Sequence, residues 1–362
     1  MKQTFYPLLV LLFSLTCSQE QVRIGIAIPL KGEQGVMAKG ILQGAQLAVD
    51  EWNTRGGALG KKIVLEIMDD EANSERAVEV AKELTKKRVI GVIGHMNSHC
   101  SIAASEIYEE AGIAMITPSS TNPELTERKL KNVFRICGRD DFQAKSAADF
   151  IIEVLKAKTI YLINDHSVYS MGLINSLKEY AQNRLSIRGE KGINQGDTIF
   201  DDLVREIKSL NPDVVYFAGY HPEGARIVKQ MREARLNNIF FGADGLVSED
   251  FLRIAGNSAE GIYFTFGCSV EDLGSAQHFV RVYKEKYKTI DLYAPYAYDA
   301  TNVLLEASCL AKERPIADVL HQEKFDGALG LIAFDEKGDQ VRSPYMVWMV
   351  KDMKFVPWTK EL

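Results

Sequence analysis

From residue 22 onward, short β-branched apolar runs alternate with helical runs, and this alternation restricts the fold more than any other feature of the chain. Val22 to Ile28, Ile63 to Met68, Val89 to Ile93, Ile113 to Ile116, Val133 to Cys137, Thr159 to Ile163, Asp213 to Ala218, Ile239 to Gly242 and Gly261 to Phe266 read as strands, most of them buried on both faces. Helical spacing fills the stretches between them, at 38–53, 74–87, 102–111, 142–157, 170–183, 200–209 and 223–235, and again at 276–287 and 295–312. Gly32 to Gly40 reads as a glycine-bearing loop, and Gly330 to Phe334 and Tyr345 to Val350 as late strands. Strands that alternate with helices make parallel sheets. The alternation restarts after Gly138-Arg139-Asp140-Asp141, and no Pro- or Ser-rich linker marks the join. The expected fold is therefore α/β, with two doubly wound parallel-sheet lobes, a chain that crosses between them at short segments, and a cleft between.

Gly91 to Thr126 carries the first candidate site. It reads as strand, polar loop (94–101), helix, strand and a second polar loop (117–122), with Ser101 placed to cap the helix. Open parallel sheets bind ligands outside the carboxyl ends of their strands. Two hydroxyl-rich loops meeting there, one leading into a helix N-terminus, would seat a small anion. The same hydroxyls serve equally well as ordinary turn and cap residues. On the second lobe, Tyr169, Tyr220 and Asp244 each follow an expected strand; Asp244 would pair with an ammonium, and the rings would cover apolar groups. Turn chemistry accounts for Asp244 just as simply.

Nothing in the chain points to catalysis. There is no G-x-S-x-G elbow and no phosphate loop, since Gly57-Ala-Leu-Gly60-Lys61-Lys62 has the wrong spacing. Gly32, Gly35 and Gly40 miss the dinucleotide pattern. His95, His99 and Cys100 suggest a metal, but His95 falls in a loop and the H-E-x-x-H glutamate is missing. A non-enzyme without metal or cofactor is expected. A net charge of −6 gives no reason to expect nucleic acid, and 362 residues suit about two domains.

Met1-Lys2, the apolar run Phe5 to Phe13 and the polar exit that follows form an export leader, expected over 1–17. Its apolar run is about half the ~20 residues a membrane helix needs. Cys17 sits where a bacterial lipoprotein carries its lipid, although Thr16 departs from the usual residue before it, so release and tethering both stay open. Cys100, Cys137, Cys268 and Cys309 allow three complete pairings; free buried thiols are the simpler expectation.

The residues V-I-G-H-x-x-S (92–98), A-S-E-I-Y-E-E-A-G-I (104–113) and P-x-x-T-N-P-E-L-T (118–126) resemble the leucine/isoleucine/valine-binding proteins of branched-chain amino acid ABC importers, which are type I periplasmic binding proteins. F-A-G-Y-H-P-E (217–223), G-A-D-G (242–245) and F-D-E-K-G-D (334–339) support the likeness. The resemblance implies three crossovers, with 21–139 plus 268–344 as one lobe and 140–267 plus 345–362 as the other. It implies an exported monomer, periplasmic or membrane-tethered, that closes on an amino acid and meets a permease. Ser98 matches the serine that binds the ligand carboxylate, and Ser119 and Thr121 the second loop. Tyr169 and Tyr220 match aromatic contacts, and Asp244 a glutamate that neutralises the ammonium. The chain departs from the pattern in three places. Asp244 is one methylene short, Met37 replaces an aromatic ring, and Ala72 and Asn97 stand where a disulfide is frequent. These departures leave room for another ligand of the same fold, such as an amide, urea or an aromatic acid.

Overall fold

The computed structural model describes residues 20–360, so the expected leader and Cys17 lie outside the described residues. The chain opens with β1 (Gln21–Ile28), α1 (Gly32–Thr54), β2 (Lys62–Asp69), α2 (Ser74–Lys86), β3 (Gly91–Gly94), α3 (Ser98–Ala111), β4 (Ala114–Thr117), α4 (Glu124–Glu127) and β5 (Val133–Arg135). Its strands form a parallel sheet in the order β2-β1-β3-β4-β5. A second unit follows: α5 (Asp140–Asp149), β6 (Thr159–Asn164), α6 (Val168–Ala181), β7 (Ser186–Gly192), α7 (Asp201–Leu210), β8 (Val214–Ala218), α8 (His221–Glu233), β9 (Ile239–Gly242), α9 (Glu249–Ala255) and β10 (Tyr263–Phe266). The chain then returns with α10 (Gln277–Tyr287), α11 (Ala294–Ala311), α12 (Ile316–Gln322) and the hairpin β11 (Phe325–Gly327) and β12 (Gly330–Ile332). Helix α11 packs along α1 of the first unit. Finally β13 (Met346–Lys351) and β14 (Lys354–Pro357) add an antiparallel edge to the second sheet, ordered β14-β13-β10-β9-β8-β6-β7. The chain thus crosses between the sheets three times, the two-lobed α/β arrangement expected from its alternation.

Two local expectations are corrected. Gly32 to Gly40 is not a loop: α1 begins at Gly32. Gly32 still turns the chain with a φ of +67°, but Gly40 and, further on, Gly44 serve helix packing. A Cβ on Gly40 would lie 2.0 Å from the Asp291 carboxyl carbon, and one on Gly44 would lie 2.1 Å from the Ala294 carbonyl oxygen. Glycine here lets α1 approach the start of α11 closely, at some cost in helix propensity. Helix α3, in turn, starts at Ser98 and not at Ile102, with Asn97 rather than Ser101 in the capping position. Ser101 turns inward, its hydroxyl 2.7 Å from that of Ser120 and donating to the His95 carbonyl.

Both sheets reverse strand order at their centres, β1 beside β3 in one and β6 beside β8 in the other. A crevice opens at such switch points, beyond the carboxyl ends of the strands. Met37 and Ser98 follow β1 and β3, and Tyr169 and Tyr220 follow β6 and β8, so the two crevices bring these residues face to face.

The root of the crossovers is held by a buried ion pair. Arg135, fully buried, donates Nε and Nη2 to Asp339 Oδ1 at 2.8 and 2.6 Å, and Nη1 to the carbonyls of Ser120 and Asn122. Arg139 reaches the other oxygen of Asp339 at 2.8 Å. Burial pushes the Asp339 carboxyl up, but the two guanidiniums outweigh it and hold the group below its ordinary value. Among the described residues the four cysteines are unpaired; Cys100 and Cys137 are buried, while Cys309 is exposed. No helix among the described residues is long and apolar enough to cross a membrane.

Candidate ligand-binding site

A small cavity of about 20 Å³ lies between the two units, walled by Met37, Met96, Ser98 and Ser119 on one side and Tyr169, Tyr220, Asp244 and Gly245 on the other, with Tyr293 between. Six of the seven expected site residues therefore meet in one place. Thr121 is the exception. It is buried and does not line the cavity. The cavity is narrow as it stands, so a ligand enters only when the walls move apart. Two of the walls, Met37 and Met96, are unbranched thioethers that reshape at little cost.

The first wall is a helix start. No side chain caps α3 at Asn97, and the first intrahelical amide bond is that of Ser101. The amides of Ser98, His99 and Cys100 are left without a helical acceptor, an arrangement that favours an anion. Ser98 Oγ accepts the Asn122 amide at 3.3 Å, which leaves its own proton free to donate. Ser119 Oγ donates to the Met96 carbonyl at 3.1 Å and so offers lone pairs instead.

A buried polar network stiffens this wall from behind. His95 Nδ1 donates to Asp70 Oδ2 at 2.7 Å, and its Nε2 lies 3.1 Å from the Tyr108 hydroxyl, all three side chains being fully buried. Its carbonyl takes the hydroxyls of Ser101, Thr117 and Ser120. His99 Nε2 bonds the Ala72 carbonyl at 2.9 Å. These bonds join the exit loop of β2 to that of β3, the loops that carry Ala72 and Asn97. The histidines act here as braces, and among the described residues no three His, Cys, Asp or Glu side chains gather as a metal site.

The second wall is acidic and aromatic. Asp244 Oδ1 accepts the Tyr169 hydroxyl at 2.7 Å and the Gln143 amide at 3.0 Å. Burial pushes the Asp244 carboxyl up, and the bonds from Tyr169, Gln143 and Gly245 recover only part of that shift. The Tyr169 hydroxyl also accepts the Gly245 amide, so this ring has no polar contact left to offer and presents its face. The Tyr220 hydroxyl accepts the Asn97 amide at 2.9 Å and keeps its own proton available. The two rings lie 5.6 Å apart and tilted by 38°.

Several participants escaped the sequence reading. Tyr293 enters from the turn before α11, and its hydroxyl donates to the Asp244 carbonyl at 3.0 Å. Gln143 and the fully buried Asp140 lie on the first turn of α5, behind Asp244. Burial first, and then the Asp244 charge, push the Asp140 carboxyl well above the ordinary range, and the Thr121 hydroxyl offsets this only in part. The only sequence signal for Asp140 was its place at the break between the two alternations. A larger groove of about 850 Å³ lines the outer face of the crossovers, beside Phe142, Val341 and Tyr345. It holds none of the expected residues, and two of its cations, Arg139 and Lys337, are already paired.

Comparison with known proteins gives a consistent picture. Residues 21–354 match the family described as periplasmic binding protein. A Leu/Ile/Val-binding protein homolog of Brucella abortus (strain 2308) is 34% identical over 336 residues, 90% of each chain. Among solved structures, the leucine binding protein LivK of Thermotoga maritima MSB8 superimposes with a TM-score of 0.87 at 30% identity, covering 93% of this chain and 98% of that one. The branched-chain amino acid transporter substrate binding protein LivJ of Streptococcus pneumoniae, solved with isoleucine, gives 0.87 at 29% identity with the same coverage.

Proposed function

The chain belongs to the periplasmic binding protein family, and from that premise we propose that it captures a free α-amino acid with a branched aliphatic side chain and delivers it to the permease of an ABC importer outside the cytoplasm. The family consists of transport receptors and not of enzymes. The observation that carries the reading is the polarity of the cavity. An uncapped helix start and a free hydroxyl proton face a buried carboxylate across a gap lined by rings and thioethers. A zwitterion satisfies both ends at once. The carboxylate takes the Ser98 hydroxyl and the α3 amides, with the Tyr220 proton as a third donor. The ammonium takes Asp244 and the lone pairs of Ser119. Thr121 supports from the layer behind, and Met37, Met96, Tyr169 and Tyr293 enclose the side chain.

Each wall holds only half of this set, so a ligand stabilises the closed arrangement by its greater affinity for it. An amide or aromatic acid without an ammonium would leave Asp244 charged, buried and unpaired. Titration calorimetry against leucine, isoleucine and valine, with 4-methylpentanoate and 3-methylbutylamine as analogues lacking one charge each, tests the proposal. The three amino acids should bind and both analogues should lose most of the affinity. Equal binding of 4-methylpentanoate and leucine would remove the ammonium seat from the account.

A further inference from the structure

Two asparagines cross the cleft on either side of the cavity. Asn97, just before Ser98, donates Nδ2 to the Tyr220 hydroxyl at 2.9 Å and to Gln34 Oε1 at 2.6 Å. Asn122, just after Thr121, donates Nδ2 to the carbonyl of Val168, which precedes Tyr169, at 2.8 Å. Asn97 and Asn122 are almost wholly shielded from water, at 1% and 5% exposure. One turn along α6 sits Gly172, where a Cβ would lie 2.4 Å from Asn122 Nδ2. Glycine in mid-helix carries a propensity cost, and here it leaves the notch into which the asparagine amide fits.

We infer that Asn97 and Asn122, with the Gly172 notch, form a latch that holds the two walls together around a bound ligand. They are positioning residues: each bond joins a residue beside the carboxylate seat to one at the aromatic wall, and each exists only when the walls meet. The Asn97–Tyr220 bond is buried and the Asn122–Val168 bond partly so, and they count for more than the exposed Glu33–Arg226 ion pair that spans the same gap. An interaction present only in the closed state slows release and leaves capture unchanged.

The inference rests on the amino-acid reading of the cleft. Stopped-flow measurement of leucine association and dissociation on Asn97→Ala and Gly172→Ala tests it. Alanine is the better helix former at 172, so Gly172→Ala should not lower the melting temperature of the ligand-free protein, whereas Asn97→Ala gives up the bond to Gln34 on its own wall and should lower it slightly. Dissociation should quicken about two- to tenfold in each, the worth of roughly one net hydrogen bond, with association unchanged. Wild-type dissociation rates in both variants would overturn the latch. Should wild-type protein bind no leucine, the amino-acid reading fails instead. Stopped-flow release of benzoate, the aromatic-acid alternative, then decides the latch: faster release in both variants supports it, and unchanged release overturns it.

Discussion

The Tyr169 hydroxyl donates to Asp244 Oδ1 over 2.7 Å, and both groups are buried on the same wall of the cleft. The phenol orients the carboxylate without neutralising it. One Asp244 oxygen is thereby engaged while the group stays available to a cation.

Asp244→Ala should therefore weaken leucine binding by about 2–5 kcal/mol, the usual penalty for stranding one partner of a buried charged pair. Tyr169→Phe keeps the ring and removes one bond to the carboxylate, so it should cost only about 1 kcal/mol. Calorimetry on both variants gives the comparison. A larger loss in Tyr169→Phe than in Asp244→Ala would reverse the roles assigned to the two residues.

Asp140 supplies a pH prediction. Burial first, then the neighbouring Asp244 charge, raise its carboxyl well above the ordinary value in the folded protein. Below the unfolded value the group is protonated in both states and costs nothing; as the pH rises through the folded value its ionisation destabilises the fold. Asp140→Asn removes that term. The ligand-free variant should melt above wild type at pH 7, by about 2–4 °C if the relief is near 1 kcal/mol, and the difference should vanish below about pH 4. Melting curves across that range without ligand provide the check.

His221 runs the other way. Its ring is fully buried at the start of α8, neither nitrogen has a partner, and burial lowers its pKa to about 4. Asp250 and Glu33 pull the value up, while Arg226 and Arg253 push it down. The unfolded imidazole takes its proton near pH 6.5, so stability is intact above that pH and drains away as the pH falls toward 4. His221→Leu should match wild type at pH 7.5 and exceed it by about 2 kcal/mol at pH 5. Urea unfolding at the two pH values measures this, and equal gaps at both would show that His221 does not titrate on unfolding.

The alternation of apolar runs was enough to foresee the two-lobed sheet arrangement, because strands buried on both faces leave an unbroken β-branched signature. Helix starts were harder to read. Gly40 falls in a stretch that reads as a loop in sequence, and only the neighbouring Asp291, just before α11, reveals it as a contact point. In the candidate site, Ser98, Ser119, Tyr169, Tyr220 and Asp244 were legible because each follows a strand's carboxyl end. Met37 was found through family resemblance alone. Tyr293 was missed because it reaches the cavity from a helix start about 50 residues later in the chain, with no strand before it. Asn97 and Asn122 were passed over as loop polar residues, since hydrogen bonds across a cleft leave no mark on local spacing.

The Arg135–Asp339 pair limits where the two units can bend against each other. One guanidinium grips the carbonyls of Ser120 and Asn122 together with a carboxylate only a few residues before the last crossover. The carboxylate seat, the end of β5 and the approach to that crossover are thereby cast as one solid piece. Flexure is left to the spans beyond these ties, near 267–269 and 341–345, so the receptor works like a jaw whose lower teeth and joint socket are carved from the same bone.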